Sequence, residues 1–147
     1  MAMQLTRAGE YAVKSLVFLA AQDVNARVMA SEVAAAENIP VNFVRKILES
    51  LAKTGLVKSF RGAGGGFTLG RAPEQISLRQ VIEAVEGPLA LNQCFVPSAC
   101  EDLPGCPMSQ IWMEAQRAVE DVLAKYSLAD VAHTRLLRRQ AGIALND

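Results

Sequence analysis

Three cysteines, Cys94, Cys100 and Cys106, lie at regular intervals in a polar, proline-containing segment that spans residues 91–105 and its flanks. Buried structural cysteines usually lie in apolar helices or strands, which this segment does not resemble. The odd count disfavours a disulfide framework, and the spacing is wider than the Cys-x2-Cys knuckle of most zinc sites. Thiolates spread along a loop suit an iron-sulfur cluster. The spacing leaves three alternatives open: a cluster, a zinc site or unpaired thiols.

A second set of residues that could do chemistry is basic. Lysine plus arginine and aspartate plus glutamate balance at 15 each over the 147 residues. Between residues 42 and 71, however, Glu49 alone opposes six basic side chains: Arg45, Lys46, Lys53, Lys58, Arg61 and Arg71. This asymmetry is typical of a polyanion-binding face, although an ordinary solvated face gives the same count.

The elements that must carry these residues follow from hydrophobic spacing. Apolar residues at helical intervals predict helices over 7–21, 30–37 and 41–53. Two short strands, 56–61 and 67–70, follow on either side of the glycine-rich turn 62–66. No Gly-Lys-Ser/Thr follows these glycines, which argues against a phosphate-binding loop. Three helices followed by a β-hairpin is the order of a winged helix-turn-helix.

The second half of the sequence predicts three further helices. Ser77-Leu78-Arg79-Gln80 forms a capping box that begins one of them. A long helix is expected from Pro107 to residue 126, and a last one from Ser127 towards Gln140. The long helix is too apolar for a small winged domain to cover, so it predicts a two-fold dimer interface, with an intramolecular core as the alternative.

These patterns predict a mainly α protein with a small β-hairpin wing. The expected organisation is a winged helix-turn-helix DNA-binding domain over residues 1–88 and a cysteine loop over 89–106. A dimerisation helix and a C-terminal helix follow over 107–147.

Composition narrows the possible functions. With 51% hydrophobic and 20% charged residues, the chain can bury one core but has little room for two. Its one histidine, His133, argues against histidine-rich metal sites and most Ser-His or Cys-His catalysis, so we expect no enzyme. No apolar run approaches the roughly 18 residues of a membrane span, and no secretory signal is recognisable. We therefore expect a soluble cytoplasmic protein with no membrane partner.

In a helix-turn-helix, the start of the second helix meets base edges. Asn42, Phe43, Arg45 and Lys46 occupy that position here. Asparagine can pair with adenine and arginine with guanine, whereas Phe43 could meet a thymine methyl or close the core, and we expect the core. Arg61, at the bend of the hairpin, could enter a minor groove, while Lys58 suits a phosphate contact.

Several motifs together resemble one known family. They are the hairpin 59–69, the segment 76–87, the opening residues 5–13 and the three-cysteine loop. They are similar to the Rrf-type winged-helix transcriptional regulators, which include IscR-like and NsrR-like iron-sulfur cluster sensors. The similarity runs from about residue 3 to about residue 130.

The resemblance implies a homodimer, crossed through the long helix, that binds double-stranded promoter DNA. A member of this family would act as a regulator, and here as a repressor, that responds to redox state, nitric oxide or iron-sulfur status. The alternative within the same family is a cluster-free DNA-binding regulator controlled by thiol oxidation or by a protein partner.

The resemblance also implies that the three cysteines ligate a [2Fe-2S] or [4Fe-4S] cluster. IscR-like proteins have a histidine three residues after the last cysteine, where this chain has Ser109. NsrR-like proteins use a carboxylate from the first helix of the partner subunit, and the matching residue is Glu10. Glu10 could instead only stabilise the start of its own helix, which leaves as candidates for the fourth ligand Asp102, Glu114 and solvent.

The predicted recognition helix departs from the family pattern at one position. Arg45 replaces a glutamate of IscR-like proteins. Glutamate accepts a hydrogen bond from cytosine and repels phosphate, whereas arginine donates and attracts. We therefore expect a different target sequence.

Overall fold

Six α-helices and one two-stranded antiparallel sheet follow one another in a computed structural model that describes residues 5–96 and 105–142. The helices are α1 Arg7–Ala20, α2 Ala30–Glu37, α3 Val41–Lys53, α4 Leu78–Glu86, α5 Ser109–Lys125 and α6 Leu128–Gln140. The strands β1 Val57–Phe60 and β2 Gly66–Leu69 form the hairpin. Short 3-10 turns occupy Pro73–Gln75 and Gln93–Phe95. The predicted fold class, winged helix-turn-helix with a long later helix, is confirmed.

The hydrophobic core surrounds α1. Leu16 of α1, Leu48 of α3, Val81 of α4 and Leu128 of α6 are each fully buried in one continuous cluster. Burying one such side chain contributes about 1.5–3 kcal/mol. Helices from both halves of the chain therefore hold α1 in place, and through it they orient α3.

Capping residues set the helix boundaries as the sequence predicts. Ser77 Oγ accepts from Gln80 N–H at 3.1 Å, and Gln80 Oε1 accepts from Ser77 N–H at 2.9 Å, so the predicted capping box is confirmed. Ser127 and Asp130 form a second reciprocal pair at the start of α6. At the end of α2, Asn38 adopts the left-handed conformation that stops the helix.

The long helix begins later than predicted. Pro107 and Met108 form a turn, and the Met108 carbonyl accepts the first helical hydrogen bond, from Trp112 N–H at 2.9 Å. Pro107 therefore precedes the helix instead of opening it. At the other end Tyr126 is extended and its carbonyl accepts from Leu78 N–H at 3.0 Å, so the helix ends at Lys125.

Helix α6 returns to the first half of the chain. Leu128 N–H donates to the Ile76 carbonyl at 2.9 Å, and Arg135 approaches Glu37 at the end of α2 to 2.5 Å. In contrast, α5 leaves apolar side chains exposed, among them Ile111, Met113, Val119 and Val122. Over the residues that the structure describes, no helix combines the length and the apolar character that a membrane span requires.

A close backbone contact seats the hairpin against the end of α3. Gly70 N–H donates to the Leu56 carbonyl at 2.9 Å. A Cβ added at Gly70 would lie 2.1 Å from the carbonyl oxygen of Gly55. Only glycine fits this position without moving the backbone.

Replacing Gly70 with alanine should therefore lower the free energy of unfolding by about 1–3 kcal/mol, as overpacked sites do. Gly105→Ala is the matched control, since no heavy atom of the described residues would meet its Cβ within 4 Å. Urea unfolding followed by circular dichroism measures both. Equal stability of the two variants would contradict the close contact.

Candidate nucleic-acid interface and cysteine segment

Helix α3 presents a polar face outward because its apolar face is buried in the core. The buried residues are Val44, Ile47, Leu48 and Leu51. Asn42, Arg45 and Lys46 are exposed near the beginning of the helix. Arg45 Nη1 lies 3.4 Å from Asn42 Oδ1, so the two side chains predicted to contact bases are neighbours on one surface.

Phe43 does not close the core, so that expectation was wrong. The side chain is 52% exposed, and its ring meets the ring of Tyr11 edge to face, with centroids 6.0 Å apart. It lies between the polar and the buried faces of α3, where Tyr11 of α1 supports one side of the ring. The exposed remainder leaves Phe43 available to a partner of α3.

The hairpin stands beside α3. Its strands pair in the register Val57 with Leu69 and Phe60 with Gly66. Lys58 on β1 and Arg61 directly after it are both exposed. An open groove of ≈ 220 Å³ separates the hairpin from the starts of α2 and α3, and Arg45 lines it together with Ser31 and Phe60. The structure thus brings the predicted base-reading arginine and the hairpin to one groove.

Arg27 also belongs to this surface, although the sequence patterns did not predict a role for it. Its Nη1 donates to the Gly64 carbonyl at 2.8 Å, and its guanidinium carbon lies 3.9 Å from the centroid of the Phe60 ring. Such cation–π contacts contribute about 0.5–2 kcal/mol. Arg27 therefore ties the turn of the hairpin to the segment before α2. No periodicity in the sequence marks this residue, because its partners are more than 30 positions away.

The residue after Arg27 extends the sheet. Val28 N–H donates to the Phe67 carbonyl at 2.9 Å, and Phe67 N–H donates to the Val28 carbonyl at 2.7 Å. Gly66 makes this approach possible, since it has a positive φ of 133° and a Cβ there would lie 2.9 Å from the Val28 oxygen. The two hydrogen bonds with Val28 thus fix strand β2 of the hairpin to the segment before α2.

The cysteine segment connects α4 to α5. Cys94 lies in the turn Gln93–Phe95 and Cys106 lies just before α5; both are partly buried. Cys94 N–H donates to Asn92 Oδ1 at 3.2 Å, and Ser109 N–H donates to the Cys106 carbonyl at 3.2 Å. Cys100 lies outside the described residues, as does Asp102.

Glu10 is exposed in the first turn of α1. A different carboxylate holds the start of that helix: Thr6 donates to Glu86 Oε1 from its backbone N–H at 2.6 Å and from its hydroxyl at 2.5 Å. Since a negative charge near a helix N-terminus is stabilising, both Glu86 of α4 and Glu10 in the first turn favour this end of α1, and the role of Glu10 as a ligand stays a prediction. Nothing in the sequence marked Glu86, which is 80 residues away from Thr6.

The donor set of thiols with an exposed carboxylate is chemically suited to iron. Within residues 5–96 and 105–142, however, no three His, Cys, Asp or Glu side chains are grouped closely enough to hold a metal ion. Of the three predicted thiolate ligands, Cys94 and Cys106 are described, whereas Cys100 between them lies outside the described residues. Glu10 is predicted to ligate the cluster of the partner subunit.

Comparison with known proteins is consistent across sequence and structure. The model of the Rrf2 family, described as iron-dependent transcriptional regulators, matches residues 5–134. The regulator NsrR of Bacillus licheniformis is 34% identical over 131 residues, which cover 88% of this chain and 92% of that protein.

Two solved structures are similar to the whole fold. CymR, the global cysteine regulator of B. subtilis, superposes with a TM-score of 0.75 and 27% identity, over 89% of this chain and 97% of its own. IscR of T. potens superposes with a TM-score of 0.75 and 25% identity, over 99% and 96%.

Removing the side chain of Arg27 should weaken binding to double-stranded DNA about 3- to 10-fold, because the hairpin loses its tie; a tenfold loss corresponds to about 1.4 kcal/mol. Arg27→Ala is compared with Arg138→Ala, an exposed arginine of α6. If Arg27 acts by holding the hairpin, the slope of log affinity against log salt should not change. A slope smaller by about one would instead identify Arg27 as a direct phosphate contact.

Proposed function

Because this chain belongs to the Rrf2 family of transcriptional regulators, we propose that it is a cluster-sensing repressor that binds promoter DNA as a homodimer in the cytoplasm. The observation that carries this proposal is the position of the cysteines. Cys94 and Cys106 both lie in the chain segment that runs from α4, which packs in the winged head (α1–α4 and the hairpin), to α5, which leaves apolar side chains exposed. A structural change in this cysteine segment would therefore act directly on both the winged head and α5.

DNA recognition is assigned to α3 and the hairpin. Asn42 and Arg45 would meet base edges in the major groove, with Phe43 placed for a thymine methyl. Lys46 and Lys58 would contact phosphates, and Arg61 at the hairpin turn would enter the minor groove. The exposure of all six side chains supports this assignment. In keeping with the family, the chain is a DNA-binding protein and not an enzyme.

The dimer interface is assigned to α5. Ile111 and Val122 are 54% and 55% exposed and lie on one side of the helix by its period, with exposed Val119 beside them, whereas exposed Met113 lies on the opposite side. Contiguous exposed apolar surface of this kind usually marks an interface. A two-fold axis through α5 would place two copies of α3 in successive major grooves, about 34 Å apart.

The cluster would be held by Cys94, Cys100 and Cys106, with Glu10 of α1 as the ligand to the cluster of the other protomer. An iron-sulfur cluster supplies a group whose oxidation, nitrosylation or loss changes the bonding at these thiolates. The chain must convert that change into two dimer geometries with different DNA affinity. A coupling free energy of about 1–3 kcal/mol would change affinity about 5- to 150-fold.

A second candidate function is a cluster-free regulator that responds to thiol oxidation or to a protein partner. One observation favours it: the chain is similar in structure to CymR, a cysteine regulator, at 27% identity. Thiolate chemistry at Cys94 or Cys106 would then replace cluster chemistry as the signal.

Anaerobic reconstitution with iron and sulfide distinguishes the two functions. The wild-type protein should gain the absorbance and electron paramagnetic resonance signals of a cluster, whereas Cys94→Ala should lose them. The variant should bind promoter DNA with the affinity of cluster-free wild type, which controls for damage to the fold. A colourless wild-type protein whose DNA affinity responds to a thiol oxidant would establish the second function instead.

A charge on the exposed face of α5 should disrupt the dimer. Val122→Asp should shift the protein to monomer in analytical ultracentrifugation, since a buried unpaired carboxylate is costly at an apolar interface. Val24→Asp is the matched control, because Val24 is 91% exposed in the loop before α2. A Val122→Asp protein that sediments as wild type would place the interface elsewhere.

A further inference from the structure

Gln116 in the middle of α5 has an unusual environment. Of the residues of α5, all of which are described, Gln116 alone is fully buried, at 6% exposure, while apolar neighbours on the same helix remain exposed. An amphipathic helix normally buries its apolar side chains. A buried amide is tolerated only where its hydrogen bonds are satisfied, so the contacts of Gln116 require an explanation.

The amide of Gln116 clamps the backbone that leads to Cys94. Its Oε1 accepts from Leu91 N–H at 2.7 Å, and its Nε2 donates to the Leu89 carbonyl at 2.7 Å. Donor and acceptor thus pair with the chain at two points, as a neighbouring strand would. Asn92 follows directly and accepts from Cys94 N–H at 3.2 Å. The hydrogen bonds of Gln116 with Leu89 and Leu91, and that of Cys94 with Asn92, therefore connect Cys94 to α5.

The Gln116 amide is also connected to α4, through Glu120 and Arg79. Gln116 Nε2 also donates to Glu120 Oε1 at 2.7 Å, and Glu120 Oε2 lies 3.7 Å from Nη2 of Arg79. Arg79 Nε donates in turn to Glu83 Oε1 at 3.1 Å. The hydrogen bond with Glu83 raises the pKa of Arg79, whose guanidinium is charged at physiological pH in any case. The network joins the cysteine segment, α5 and α4.

We propose that Gln116 is the positioning residue that couples the cysteine segment to the winged head, by holding residues 89–91 and by engaging Arg79 through Glu120. This inference rests on the proposed cluster-sensing function. When the state of the cluster moves Cys94, the clamped backbone transmits the movement to α5 and, through Arg79, to α4. A glutamine provides both a donor and an acceptor here; a carboxylate would set an acceptor against the Leu89 carbonyl and Glu120.

Gln116→Glu is the primary test, with Gln110→Glu as the matched control because Gln110 is an exposed glutamine of the same helix. Hydrogen–deuterium exchange is measured first on the cluster-free proteins. We expect faster exchange over residues 89–96 in Gln116→Glu than in wild type or in the control. Unchanged exchange there would overturn the clamp.

The second measurement compares DNA affinity with and without the cluster. Wild type and Gln110→Glu should show the full difference, and Gln116→Glu should take up the cluster, seen by absorbance, yet show a difference below about 2-fold against the 5- to 150-fold range of typical couplings. Full coupling in Gln116→Glu would overturn the proposal. A wild-type protein that takes up no cluster, or whose affinity is the same in both states, would instead remove the proposed function itself.

If Gln116→Glu does not fold, Glu120→Ala replaces it. This variant removes one hydrogen bond and the contact with Arg79 from a side chain that is 25% exposed, so the core is untouched. We expect a smaller reduction of the same affinity difference. A Glu120→Ala protein with wild-type coupling would overturn the proposed route through Arg79.

Discussion

The structure depends on a hydrophobic core that is complete without any fully buried apolar side chain from the long helix α5. Side chains of α1, α3, α4 and α6 meet in one cluster around Leu16, and α5 adds no fully buried apolar residue to it. A chain of this size can complete only one such core. Apolar side chains of α5 are consequently left at the surface, where burial against a second copy of the chain would be favourable.

The packing of the core also determines which residues of α3 face outward. With Leu48 and Leu51 buried, the helix period places Arg45 and Lys46 on the exposed face of α3. The hairpin contributes Val57 and Phe67 to the same core, and it is also held by the backbone pairing of Val28 with Phe67 and by the hydrogen bond from Arg27 to Gly64. A recognition surface is thus assembled from a helix held by core packing and a hairpin held by core packing together with specific hydrogen bonds.

The cysteine segment connects the winged head to α5, and its stem, residues 89–91, is held by two hydrogen bonds with Gln116. Hydrogen bonds from Gln116 are directional, so the stem has a defined position relative to α5. Because each amide contact is replaceable by water, such a stem can shift at smaller cost than a packed core. This combination suits the role proposed for the segment, which is to report a local chemical change to distant elements.

Local information in the sequence was sufficient for most of the fold. Hydrophobic periods predict the helices, Ser77 and Gln80 predict a cap, and the glycines predict the hairpin, because each of these signals acts between residues close in the chain. The exposed basic residues of α3 follow from the same period.

Tertiary structure decided the contacts between distant residues. Phe43 meets Tyr11 of another helix edge to face, and Glu86 reaches Thr6 across 80 positions. The burial of Gln116 likewise depends on where the segment 89–91 returns to α5. Such contacts arise only when the packing of whole elements brings their backbones together, and no local pattern of residue types encodes that approach.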